Sequence, residues 1–172
     1  MCRCAAAKCE ELAGLRWSDV DMRWKKLTIA DKVEQTRQIP LTPYLASLLA
    51  GLPRVKGNPY VFASATSKSG RIEEPRGPHG TVLADAGIGH VSIHGLRRTF
   101  SLLGEAAGAP AGAIAQVMGH KPSAIAEGYR PRSIDALRVF LDRIEAFVLE
   151  RAGVEFDPTK PSGLQLVAGG NR

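Results

Sequence analysis

After Pro131 the chain carries its most constraining pattern: Ile134, Leu137, Leu141, Ile144 and Val148 recur at intervals of three, four, three and four. That period keeps all five on one side of an α-helix, and an apolar stripe of this length must be covered by protein. Intramolecular burial is the commoner use of such a helix, so the stripe is expected to close the domain's own core. The preceding residues are helical in the same way. Residues 111–118 form a short apolar run stopped by Gly119, the usual residue just past a helix end. A helix from Ile93 to Gly104 or Gly108 spaces Leu96, Phe100 and Leu103 four and three apart, and a shorter one over 80–86 stops at Gly87.

The first half is mixed. Residues 5–15 are strong helix formers, with Leu12 and Leu15 on one side and Glu10 and Glu11 nearby. Trp17-Ser18-Asp19-Val20-Asp21 breaks that pattern. Lys26-Leu27-Thr28-Ile29-Ala30 and Thr36-Arg37-Gln38-Ile39-Pro40-Leu41 then read as an antiparallel hairpin, with Pro40 marking an edge or an end. Thr42-Pro43 has the form of an N-cap followed by proline at the first helical position, opening a helix to Leu49. Tyr60-Val61-Phe62 reads as a short buried strand or extended segment, and 64–80 as a binding loop or a disordered stretch. The expected class is α+β, mainly helical with a small antiparallel hairpin. Length predicts one domain, residues 1–153, followed by a flexible Pro/Gly/Ser-rich tail, 154–172.

Composition narrows the function. A hydrophobic share of 44% excludes wholesale disorder, and no apolar stretch approaches the ~20 residues of a membrane helix. Met1-Cys2-Arg3-Cys4 has no apolar core of secretory length, which predicts a cytoplasmic protein. Three cysteines at positions 2, 4 and 9 are not a disulfide framework, and without Cys-x-x-Cys spacing or a nearby His they argue against zinc. Lys and Arg total 23 against 17 acidic residues, a net charge of +6 that favours an anionic partner, most often nucleic acid.

Four clusters could carry chemistry. In His94-Gly95-Leu96-Arg97-Arg98-Thr99-Phe100, His94 and Arg97 share a helix face: a phosphate-binding fork beside a group that moves protons near neutral pH. Gly119-His120-Lys121-Pro122 presents a His at a helix end, and Tyr129 follows between Gly128 and Arg130. Lys32 sits at the hairpin tip, and Lys8 lies three residues before Glu11. Taken singly, each reads more simply as something bland: a solvated basic face, an exposed loop tyrosine, a turn lysine or a surface ion pair.

Together their order resembles the catalytic domain of tyrosine recombinases, specifically bacterial prophage-type integrases. The matching stretches are Glu11-Leu12-Ala13-Gly14-Leu15-Arg16-Trp17-Ser18-Asp19-Val20-Asp21, Lys32 with Arg37-Gln38-Ile39-Pro40-Leu41, Tyr60-Val61-Phe62, His94 to Phe100, and Val117-Met118-Gly119-His120-Lys121-Pro122 through Tyr129. The resemblance spans about residues 5–150 and implies the DNA breaking-rejoining fold. It also implies strand transfer on double-stranded DNA without metal or nucleotide. Tyr129 would attack a phosphodiester and form a 3′-phosphotyrosyl link. Arg97 would hold the non-bridging oxygens, His94 would exchange a proton with the tyrosine, and Lys32 would protonate the departing 5′ oxygen. His120 would hydrogen-bond the phosphate, and Glu11 would brace the pocket from behind. Arg98, Lys121 and Arg130 would touch DNA, and the working form would be a homo-oligomer, a tetramer on two sites.

Two departures set further expectations. The family has arginine where this chain has Lys8, a point charge in place of a planar fork. Losing a well-placed oxyanion donor typically costs ~100- to 1,000-fold in rate, so cleavage is expected to be weak or absent. The chain also begins inside its first motif, from which an N-terminally incomplete domain, an exposed apolar patch there and self-association are expected. A non-catalytic DNA-binding remnant is the alternative. A type IB topoisomerase would share the chemistry, but the prophage-like motifs favour integration.

Overall fold

In a computed structural model, residues 9–31, 35–120 and 131–159 are described. Six helices accompany one small sheet among them: α1 (Cys9–Ala13), a 3-10 turn (Trp17–Asp19), β1 (Val20–Asp21), β2 (Lys26–Asp31), β3 (Gln35–Pro40), α2 (Pro43–Ala50), α3 (Arg76–Asp85), α4 (Ile93–Ala106), α5 (Ala111–Met118) and α6 (Ile134–Arg151). The sheet is antiparallel in the order β1-β2-β3, with Leu27 opposite Ile39 and Ile29 opposite Arg37. The hairpin stands as expected, and Pro40 is the last residue of an edge strand, where its missing N–H does no harm. The strand β1 is an addition: Val20 pairs with Leu27 and Asp21 with Lys26, and two residues are too few to show a period.

The apolar stripe of α6 turns inward. Leu137, Leu141 and Ile144 are buried, Ile134 and Val148 are half-buried, and the helix packs on β3, α4 and α5. The core they close includes Leu27, Ile29, Ile39, Leu41, Leu45, Phe100, Ile114, Val117 and Met118. Where α4, α5 and α6 meet, Gly104 lets them approach: a Cβ there would lie 2.9 Å from Ile114 Cδ1 and 3.3 Å from Ile144 Cδ1.

Four local expectations need correction. The first helix ends at Ala13, with Gly14 in a turn, rather than at Leu15. Thr42 precedes α2 as expected but does not cap it through its side chain; its hydroxyl donates to the Glu145 carboxylate. That carboxylate caps α2 instead, accepting from Tyr44 N at 3.0 Å and Leu45 N at 3.4 Å. Tyr60-Val61-Phe62 forms no ladder; Tyr60 makes a single bridge to Arg16, and only Val61 is buried. Finally α3 begins at Arg76, four residues early, because Pro78 falls in the first turn, where its missing N–H is unneeded.

Two described details lie in the C-terminal tail: Phe156 meets Tyr44 edge-on at 5.1 Å, and Asp157 accepts from Thr159. No helix among the described residues is long and apolar enough to cross a membrane.

Candidate active site

The site grows from three local devices. The first is the start of α4. Ser92 accepts the Gly95 N–H at 2.9 Å, an N-cap that fixes the first turn. His94 in that turn and Arg98 beyond it are exposed, whereas Arg97 is buried at 9% exposure on the Phe100 side. The solvated-basic-face alternative therefore fails for Arg97. Burial pulls its guanidinium below the ordinary arginine range, Glu11 pushes back and Arg37 lowers it again; it stays a cation.

The second device is β3. Strand alternation turns Thr36 and Gln38 outward and Arg37 and Ile39 inward. Arg37 meets Glu11 of α1 at 2.8 Å in a buried ion pair, and its Nε donates to the Val117 carbonyl at 3.3 Å. Glu11 thus stands in the charged interior, in contact with Arg37 and acting electrostatically on Arg97.

The third is the end of α5. Gly119 adopts the left-handed conformation (φ 66°, ψ 37°), so its N–H returns to Gln116 O at 3.1 Å and the His120 N–H to Ala115 O at 2.9 Å. A side chain at position 119 would strain that reversal. The last-turn carbonyls it leaves over are taken by arginines: Val117 O by Arg37, Met118 O by Arg97. Two cations at the negative end of a helix are well placed electrostatically. His120 follows directly and is exposed.

The same helix also holds the chain beyond residues 121–130. The Gln116 side chain donates to Arg132 O at 2.9 Å and accepts from Arg132 N at 2.9 Å. The Arg132 guanidinium lies over Gly112, where a Cβ would come within 3.0 Å of it. Positions 120 and 132 are therefore both bonded to the last turns of α5.

Of the sequence-derived candidates, Glu11 and Arg97 are brought into one charged cluster, and His94 and His120 stand at the ends of the two helices that Arg97 joins. Arg98 is solvent-facing. Lys8, Lys32, Lys121, Tyr129 and Arg130 lie outside the described residues. Sequence reasoning assigned no role to Arg37 or Gln116. Strand alternation with Ile39 was the signal for the first; nothing local marks the second. Among the described residues no group of three His, Cys, Asp or Glu side chains could hold a metal.

Comparison with known proteins bears on this geometry. The phage integrase family matches over residues 5–133. Prophage integrase IntF of Escherichia coli (strain K12) is 49% identical over 154 residues, covering 86% of this chain and 33% of that protein. The chain thus spans about a third of the length of that relative. No solved structure gives a significant match. With the family's motifs in order and Glu11, Arg97 and the α5 end joined in one cluster, the chain belongs to the phage integrase family of tyrosine recombinases.

Proposed function

We propose that this chain is the strand-cleaving and rejoining part of a site-specific DNA recombinase, working in the cytoplasm on attachment-site DNA as a homo-oligomer. The observation that carries the reading is the buried Glu11–Arg37–Arg97 cluster, tied to the last carbonyls of α5 immediately before His120. Two of those three side chains are arginines, cations of the sign that attracts a phosphodiester.

In the proposed reaction the Tyr129 oxygen attacks phosphorus as His94 takes its proton. The bond from phosphorus to the 5′ oxygen breaks, and that oxygen receives a proton from Lys32. Arg97 and His120 hydrogen-bond the non-bridging oxygens, whose negative charge grows in the transition state. The 3′-phosphotyrosyl link stores the bond, so the reverse attack by a 5′ hydroxyl rejoins the strand without an added energy source. Arg98, Lys121 and Arg130 would hold flanking phosphates. Domain limits of 1–153, with 154–172 as a tail, belong to the same proposal.

The test is recovery of SDS-resistant protein–DNA adducts after incubation with sheared genomic DNA from the source cells. Adducts that vanish in Tyr129→Phe are expected. Lys8 favours one second reading, a DNA-binding remnant; salt-sensitive binding with no adduct at all would select it.

A further inference from the structure

Arg37 takes no part in the chemistry above, yet at 8% exposure it is one of the buried polar or charged side chains among the described residues, with Thr42, Arg97 and Glu145. A guanidinium in that position is costly unless its donors are met. Here they are met by two different elements. Nη2 holds the Glu11 carboxylate on α1, and Nε holds the Val117 carbonyl at the end of α5. Glu11 is the carboxylate that acts electrostatically on Arg97, and Met118, next to Val117, supplies the carbonyl that Arg97 grips. Arg37 and Arg97 therefore hold adjacent peptide units of one helix end, and the acid between their charges is held by Arg37.

We propose that Arg37 is a positioning residue: by locking Glu11 to the last turn of α5, it leaves Arg97 one orientation from which to meet phosphate oxygens. The proposal rests on the recombinase reading for the identity of the anion, but the bracing itself is a property of the folded chain. It requires two donors in fixed relation, which is what a guanidinium provides. A lysine in its place is a single point donor on a flexible stem and cannot hold both acceptors in that geometry. Small displacements matter at such a centre, since a shift of about 1 Å can cost on the order of 100-fold in rate.

The experiment uses the full chain labelled with 15N-arginine. NMR reads two quantities at Arg97: the exchange rate of its side-chain N–H groups, and its response to added inorganic phosphate. In the wild type, slow exchange and a saturable shift with phosphate are expected. In Arg37→Lys, exchange should accelerate and phosphate affinity should fall about tenfold, the equivalent of one charge-assisted hydrogen bond. Arg97 exchange and phosphate affinity that are both unchanged in Arg37→Lys, whatever the change in melting temperature, would overturn the proposal. Should that variant fail to fold, Arg37→Met combined with Glu11→Gln removes the ion pair, and Glu11→Gln alone controls for the charge lost beside Arg97. Arg97 exchange faster in the double variant than in Glu11→Gln alone supports the bracing, and equal exchange in the two overturns it. If wild-type Arg97 ignores phosphate, the anion-binding reading fails, while the exchange comparison still decides whether Arg37 braces Arg97.

Discussion

The carboxylate of Glu145 on α6 accepts the backbone N–H of Tyr44 at 3.0 Å, so the first turn of α2 is capped from 101 residues away. The final helix is thereby joined to the strand–helix junction by polar bonds as well as by its apolar stripe. Glu145→Ala should leave Thr42 and two α2 amides without their acceptor. Each orphaned buried group costs about 1–3 kcal/mol, and the sum is a large fraction of a small domain's stability. Glu145→Gln, which retains one carbonyl acceptor, should lose less. Urea denaturation of the three proteins checks the order.

Gln116 predicts a different kind of loss. Its amide makes a donor and an acceptor bond to the Arg132 backbone, and an ionised carboxylate, which only accepts, cannot do both. Gln116→Glu keeps the acceptor and places a carboxylate against the Arg132 carbonyl. A modest fall in stability, about 1–3 kcal/mol, is expected, together with a larger fall in adduct yield, because the bond anchors the chain three residues past Tyr129. Equal losses in Gln116→Glu and in a surface control such as Glu150→Gln would refute the anchoring role.

Gly104→Ala should destabilise by about 1–3 kcal/mol through overpacking, since the new methyl would sit 2.9 Å from Ile114 Cδ1 and 3.2 Å from Ile114 Cγ1. The obstructing atom is a side-chain tip, so Ile114→Val, which removes Cδ1, should recover part of the loss. A double-mutant cycle by thermal unfolding measures that coupling.

These three positions mark the boundary of what the chain declares locally. The α6 stripe and the Gly119 stop were readable because period and left-handed glycine are properties of neighbours in sequence. Glu145 adjoins Ile144 in that stripe and carries no sign that its partners are Thr42, Tyr44 and Leu45. Arg97 looked like half of a basic face with His94. Its inward turn depends on Glu11 and on the α5 carbonyls, which only tertiary folding supplies. Strand β1 and the early start of α3 escaped for a local reason: two residues show no alternation, and Gly77 and Pro78 resemble loop.

Asp142 gives a pH prediction. Its Oδ1 is buried without a hydrogen-bond partner among the described residues, and burial raises its pKa above the ordinary 3.8, outweighing the opposing pull of Arg138 and Lys25. A carboxyl whose folded pKa is raised favours folding below 3.8, and that contribution is lost as pH climbs through the raised value. Asp142→Asn should therefore stabilise the protein at pH 7, and the gain should shrink to nothing as the pH falls below the carboxylate range. Melting temperatures across that span decide it; a gain independent of pH would point to packing instead.

Lys8 carries the sharpest expectation about activity. It stands three residues before Glu11, where the family has an arginine, and Glu11 is already engaged by Arg37. A lysine keeps the positive charge but cannot offer two parallel donors to a phosphate, so under the proposed function transition-state stabilisation should be incomplete while ground-state attraction persists. Lys8→Arg should thus raise the rate of Tyr129 adduct formation by on the order of 10-fold or more and change DNA affinity little, since one oxyanion donor is worth ~100- to 1,000-fold at most. Single-turnover adduct kinetics beside equilibrium binding separate the two effects. Robust and equal rates in both proteins would mean that the lysine already does the arginine's work, and the expectation of attenuated cleavage would fall with it.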